Sequence, residues 1–512
     1  MSQITRRKFL AATALTVAAT RLRANSTASI SATLSIPAEA DGPQIPPGYI
    51  GLSYEVQQLT DPAFFSTKNE GLIRAFKALT PRGVLRLGGN TSEFGWWKPA
   101  PDSPEPAHPH VREVVGEPRA SYYTVTPEAV RNLQVFLEAT GWSCIYGINM
   151  GTNTPGRAAD EAEFVAKALG PKLHYFQIGN EVDLFGRHLR DPQTWAPKTY
   201  LAEWLTLARA IAARVPNASF GIPDIASEMS WLPEIADAWS TIQDPPHVTT
   251  LTHHYYFGGP PSNPEVTVPN LLKPATMAKV QAMADNANAA ARKMGIRQRM
   301  TEGNTCYRGG KPGVSDVFAA ALWSADYSLL LARNNYSGIN LHGGTGSIIA
   351  SGLGGQMFGD QVLKDQGATA EQIARRPHPY YSPIASFDSN YVLEPVAYGL
   401  IFAGGVGEGT LIRADLSAKL QEAGINATAY AAKLANGQTS VLVLNKDAKS
   451  DLSLRLDFNA AKSGAAEIES LHAPSLESRE AQITKSAKVE DVKDGKLDVL
   501  VPQASGMRIT VG

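Results

Sequence analysis

The chain has 512 residues, 43% of them hydrophobic and 19% charged, and a formal net charge of −1 at pH 7. That is an ordinary globular composition, long enough for one large α/β domain plus a smaller one. The near-neutral balance excludes a strongly basic groove for nucleic acid or another long polyanion, though a few local contacts suffice for a short or terminal piece of an acidic ligand. The two cysteines, Cys144 and Cys306, have no CxxC spacing and read as buried free thiols, not as a disulfide scaffold or zinc site. The 10 histidines show no HExxH-type spacing, so no metal is expected.

Along the chain, "TRRKFLAATALTVAATRLRA" pairs Arg6 with Arg7, then runs through Phe9-Leu10 into a short Ala/Leu/Val stretch. This resembles a Tat-type signal peptide over 1–26, too short to span a bilayer stably, and predicts a periplasmic or secreted protein. Residues 27–48 contain the alternating "STASISATLSIPA", a half-exposed strand expected to join a β-sandwich. From 49 to 400 the chain alternates strand and helix. Eight strands are predicted: "YIGLSYEV", "GVLRLGG", "SCIYGINM", "LHYFQIGN", "SFGIPDIA", "HVTTLTHHYY", "QRMTEGNT" and "SGINLHGG". Between them lie segments such as "TPEAVRNLQVFLEATG", with apolar residues at helical spacing and Thr126 as a cap. Strands apolar on both faces alternating with helices mean a parallel sheet. Eight such units predict a (β/α)8 TIM barrel, with a doubly wound open sheet as the alternative. Thr345 to Tyr381 is too long for an ordinary connection and reads as functional or disordered. From 401 to 512 short alternating runs such as "DLSLRLDF" predict a C-terminal antiparallel β-sandwich domain.

Barrel sites form at the C-terminal ends of the strands. There the sequence delivers Tyr54 and Glu55 from strand one, and Arg86, Gly88, Gly89 and Asn90 from strand two. Asn149 ends strand three, Asn180 and Glu181 strand four, and His253 to Tyr256 strand six. Glu302 and Asn304 end strand seven, and His342 strand eight. A purely structural barrel needs none of this polarity. In "LHYFQIGNEVDLF" a buried strand ends on an amide and a carboxylate, which is costly unless the carboxylate is paired or used. Glu181 and Glu302 stand across one mouth, the equipment of glycoside hydrolysis: one protonated, one ionised, separated by environment. Tyr256 and Arg86 are placed to donate to Glu302 and keep it ionised.

The "GNE" after strand four and "TEGNT" at strand seven resemble clan A retaining glycoside hydrolases. "LRLGGN", "THHYY" and "TEGNTCYRGGKPGVSDVFAAALW" narrow the resemblance to glycoside hydrolase family 79, the β-glucuronidases and heparanases. The resemblance implies Glu181 as acid/base and Glu302 as nucleophile. It implies Tyr307 and the backbone at Gly309 as the group that binds a uronic acid carboxylate. Asn90, Asn180 and Tyr256 match sugar-contacting positions, and Glu55 an acidic position that holds sugar hydroxyls. Arg308 stands where relatives often carry a small residue, a departure that bears on the carboxylate geometry. Read on its own, "YRGGKPG" is either a shaped turn or a compact anion site, with Lys311 adding charge nearby.

His253 reads as a packed residue, while His254 and His342 are equally packed or functional. Trp96 and Trp97 read as core, the Arg375-Arg376 pair as a solvated loop feature, and one of Tyr380 and Tyr381 as a wall of the sugar pocket. The expected function is a retaining, exo-acting β-glucuronidase with no cofactor, acting on a carbohydrate with a terminal uronic acid. Alternatives are an endo-acting heparanase-like hydrolase, a xylosidase or arabinofuranosidase of the same clan, and a non-catalytic carbohydrate-binding protein. A Rossmann oxidoreductase is excluded because "RLGGNTSEFG" lacks GxGxxG.

Overall fold

Each of the eight apolar runs forms a strand, and the eight close into a barrel in the computed structural model, which describes residues 29–459, 464–487 and 489–512. The signal-like segment over 1–26 lies outside the described residues. The strands are Ile50–Glu55, Val84–Gly88, Ser143–Ile148, Leu173–Ile178, Phe220–Ile225, Val248–Gly258, Arg297–Cys306 and Ile339–His342. They are parallel and adjacent in chain order, and strand eight pairs back onto strand one, with Ile339 opposite Ile50. The open sheet is therefore excluded.

The helices cover the barrel for the reason their spacing predicts. In Pro127–Thr140 the Thr126 side chain accepts from the Ala129 N–H, Pro sits in the first turn, and Gly141 closes the helix in the left-handed region. Its buried face is Ala129, Val130, Leu133, Phe136 and Leu137. Each fully buried Leu or Phe there stabilises by about 1.5–3 kcal/mol. Helix Phe318–Arg333 is buried on nearly every side because helix Pro395–Gly404 packs on its outer face. That second helix runs through the boundary expected at 400–401.

Beyond it, Ala427–Lys433, Thr439–Asn445, Ser505–Val511 and Gly464–His472 form consecutive strands of the larger sandwich sheet. The opposing sheet joins Asp451–Phe458 to Lys496–Val501 and to the N-terminal strand Ser29–Ile36, which runs parallel to Asp451–Phe458 with Ile30 opposite Leu452. The alternation in "DLSLRLDF" turns Leu452, Leu454, Leu456 and Phe458 into a core shared with Leu34, Val441, Val443 and Ile509. Sandwich and barrel are tied by Lys446, whose ammonium lies 2.6 Å from Asp326 with both side chains buried.

The 345–381 segment is ordered. Three short helices, Gly346–Gly352, Phe358–Asp365 and Ala370–Ala374, enclose a small apolar cluster that includes Ile349, Leu353, Met357 and Tyr380. Arg375 is solvated, but Arg376 is paired with the buried Asp316, so the expectation of a solvated pair fails for Arg376. Among the described residues no helix is long and apolar enough to cross a membrane.

Candidate active site

Arg86 organises the mouth of the barrel. It is fully buried at the end of strand two and donates to the Ser53 hydroxyl (2.9 Å), Glu302 (2.6 Å), the Asn180 side-chain oxygen (2.6 Å) and Asp224 (2.6 Å). Room for it comes from Gly88, where a Cβ would lie 2.1 Å from the guanidinium carbon. The Tyr256 hydroxyl donates to the other oxygen of Glu302 (2.9 Å), and the His342 ring stands 3.5 Å from the same carboxylate. Burial pushes Glu302 up, but His342, His254, Arg86 and the Tyr256 hydroxyl overcome it and hold the carboxyl well below its ordinary range.

Glu181 lies in different company. It ends strand four in a left-handed conformation (φ 50°), with its N–H donating to the Asp224 carbonyl (2.8 Å). Its carboxylate is 3.1 Å from His254 Nδ1. Burial raises it, and His254 offsets only part of that, while the charge of Glu302 adds to the rise. One carboxylate is thus kept ionised and its neighbour is biased towards the protonated form. Carboxylate oxygens of Glu181 and Glu302 and a ring nitrogen of His254 lie within 4.8 Å of one another. Both nitrogens of that ring already face carboxylates, Glu181 and Asp224, so a cation there would have to displace an existing pairing. For His254, burial favours the neutral ring, but Asp224, Glu302 and the hydrogen bonds to both acids push it up to about 10.

The other predicted residues fall as follows. Glu55 lines the cavity and accepts from the Thr91 N–H (2.9 Å) and hydroxyl (2.6 Å). Asn90 lines it and leans on the Gly352 carbonyl. Asn180 is buried behind Glu181 with its oxygen taken by Arg86 and the Gly89 N–H (3.0 Å), and it reaches only a narrow crevice. Tyr256 and Tyr307 line the cavity with their rings nearly perpendicular, 6.1 Å apart. Within the turn "YRGGKPG", Tyr307 and Arg308 line the cavity while Gly309 is buried, its carbonyl accepting from the Tyr380 N–H (2.9 Å). Lys311 turns away, donating to the Asn263 carbonyl (3.1 Å).

Lys311 thus does not bring its charge to the cavity, and the turn presents Tyr307 and Arg308 there. Tyr381, not Tyr380, walls the pocket, and Asn304 holds it there by donating to its carbonyl (2.8 Å). His253 is packed against the Tyr336 hydroxyl (2.8 Å), and Trp96 and Trp97 are core.

Four participants escaped the sequence reading. Asp224 joins Arg86 and His254, and accepts from the Thr301 hydroxyl (2.5 Å). Its signal was the lone charge in "SFGIPDIA". Glu93 is buried and orients the strand-four turn by accepting from the N–H groups of Asn180 (2.8 Å), Met150 (2.9 Å) and Gly151 (2.5 Å). Glu117 and Arg187 line the cavity from a loop and a short helix with no periodic pattern. The cavity itself holds about 280 Å³, the scale of one sugar ring with its substituents.

No family model matches the chain. It is 25% identical over 350 residues to a β-glucuronidase of Aspergillus niger, a match covering 62% of this chain and 62% of that protein. A β-glucuronidase of Neurospora crassa is 25% identical over 339 residues, 59% and 58% of the two chains. The chain thus spans about three-fifths of the length of these curated relatives. Among solved structures, a 4-O-α-L-rhamnosyl-β-D-glucuronidase of Fusarium oxysporum superposes with a TM-score of 0.69 at 17% identity, covering 93% of this chain and 100% of that one. An α-L-arabinofuranosidase of Thermotoga maritima gives 0.63 at 15% identity, covering 93% and 100%. By sequence the chain is similar to β-glucuronidases, and its barrel with an appended sandwich is a fold it shares with these solved glycosidases.

Proposed function

We propose that the protein is a retaining β-glucuronidase that removes terminal β-linked glucuronic acid. The unequal carboxyl pair carries the retaining hydrolysis, with Glu302 held ionised, Glu181 biased to its acid form and their nearest oxygens within 4.8 Å, and the similarity to β-glucuronidases supports the uronic acid. Retaining enzymes place the two carboxyls about 5–5.5 Å apart, whereas inverting ones need about 6.5–9.5 Å to admit a water. In the first step a Glu302 oxygen bonds to the anomeric carbon while the glycosidic C–O bond breaks. The Glu181 proton passes to the departing oxygen. In the second step Glu181, now a carboxylate, takes a proton from water. The water oxygen bonds to the anomeric carbon, the ester to Glu302 breaks, and the product keeps the β configuration.

Arg86 and the Tyr256 hydroxyl keep Glu302 charged and aimed. Glu55 and Asn90 face the sugar hydroxyls, and Asn180 acts from behind by fixing the turn that carries Glu181. Tyr307 contributes to the carboxylate end. Leu353, Ile349 and Tyr381 from the 345–381 segment close over the cavity, which favours exo action on a chain end. The N-terminal twin arginine supports export to the periplasm or medium through the Tat route, which fractionation of cells with Arg6 and Arg7 replaced by Lys tests.

The test of the activity compares matched p-nitrophenyl β-glucuronide and β-glucoside, with Glu302→Gln as control. A strong preference for the glucuronide, lost by several orders of magnitude in the variant, is the expected result. Equal or reversed preference contradicts the uronic acid assignment but leaves the glutamate pair.

A further inference from the structure

We infer that Arg308 is the cation that selects the substrate's carboxylate, a role that rests on the glucuronidase reading above. Two other cations near the site are spent. Arg86 is saturated by Glu302, Asp224, Asn180 and Ser53. Lys311 is turned to Asn263, donating to its carbonyl (3.1 Å). Arg308 lines the cavity beside Tyr307 and on the same wall as Tyr381. Its guanidinium lies over the Phe358 ring, 4.6 Å from the centroid, and gives one hydrogen bond, to the Val115 carbonyl (3.2 Å). Among the described residues no carboxylate lies within ion-pair distance of it, although Glu117, which also lines the cavity, feels the charge of both Arg308 and Arg187. A guanidinium has five N–H donors in a fixed plane that matches a carboxylate edge to edge. Here the plane is held and most donors remain unspent.

The backbone points the same way. Residues 308 to 310 run through φ values of +61°, +88° and +86°, a conformation that glycine adopts freely and arginine does not. Non-glycine residues kept in such wells concentrate where a side chain is used. Across the cavity mouth, Gly116 leaves the room the guanidinium occupies, since a Cβ there would lie 2.6 Å from its Nη2. Arg187, the other cation of the cavity, lines it from the short helix Phe185–His188.

The test measures kcat and KM for p-nitrophenyl β-glucuronide and for its uncharged glucuronamide, in the wild type and in Arg308→Ala, Arg308→Lys and Arg187→Ala. Arg308→Ala is expected to lower kcat/KM for the acid about ten- to hundredfold, chiefly through KM, with the amide unchanged. Arg308→Lys should recover part of the loss, and Arg187→Ala should keep the acid-over-amide ratio. If the wild type prefers the acid and Arg308→Ala keeps that ratio, the inference fails and the glucuronidase reading stands. Equal losses on acid and amide make Arg308 a strap for the 113–119 loop and overturn its recognition role. Collapse of the ratio in Arg187→Ala alone moves the role to that residue. A wild type with no preference for the acid overturns the glucuronidase reading and this inference together.

Discussion

Glu181 and Glu302 are chemically identical side chains whose neighbours separate them. Glu302 receives Arg86, Tyr256 and His342, whereas Glu181 receives burial, one imidazole and the repulsion of its twin. The proposed mechanism requires Glu302 ionised and Glu181 protonated. The kcat/KM profile should therefore fall on the acid side as Glu302 gains its proton, below the ordinary carboxylate range. On the basic side it should fall as Glu181 loses its proton, above that range. His254 stabilises the ionised form of Glu181, so His254→Gln should move the basic limb to higher pH, and an unmoved limb contradicts the assignment.

The same histidine makes a stability prediction. Its pKa is about 10 folded against 6.5 for the free side chain, so its contribution is complete below about 6.5 and is lost as pH rises through about 10. Melting temperature should fall across that window, and less steeply in His254→Gln. Replacing Arg86 with Met removes the guanidinium that Glu302 and Asp224 share and leaves His254 as their remaining counter-charge. It should cost about 3–5 kcal/mol in urea unfolding and move the acid limb upward. None of this depends on residues hidden from a reader of the sequence except Asp224 and Glu93. Asp224 is a single acid in an apolar strand and Glu93 sits in the polar turn "NTSEF", and the role of each exists only through partners distant in the chain.

At the scale of elements, the strands were legible because burial on both faces leaves continuous apolar runs, and a polar residue ending such a run stands out. That rule found Glu55, Asn180, Glu181, Tyr256 and Glu302. It does not read turns. In "YRGGKPG" the glycines signal a turn but not the direction of each side chain, so Lys311 reads as charge nearby where it turns to Asn263, and Arg308 reads only as a departure where it lines the cavity. The 345–381 segment was legible as unusual but not as three helices, since helices this short carry too few turns for a period to emerge. Gly88 tests the strand-two geometry. Gly88→Ala drives a methyl into the Arg86 guanidinium, and should destabilise by about 1–3 kcal/mol while lowering activity on any substrate. Unchanged activity in that variant contradicts the account of Arg86 as organiser.

At the scale of the molecule, the N-terminal strand completes a sheet built otherwise from the last 60 or so residues, so both chain ends must arrive before the sandwich core closes. The buried Lys446–Asp326 pair, with the Tyr430 hydroxyl donating to the same acid (2.7 Å), joins that sandwich to the barrel helix Phe318–Arg333. Lys446→Met leaves Asp326 uncompensated and should cost about 3–5 kcal/mol, with barrel and sandwich still unfolding together by calorimetry. Two separate transitions in the unmodified protein contradict that coupling.

The central claim, a covalent double displacement at Glu302, is tested most directly by mass spectrometry after incubation with a 2-deoxy-2-fluoro-β-glucuronyl fluoride. The account predicts one stoichiometric adduct on the peptide carrying Glu302, absent from Glu302→Gln. An adduct on another residue, or turnover of a glucuronide with inversion and no adduct, contradicts it.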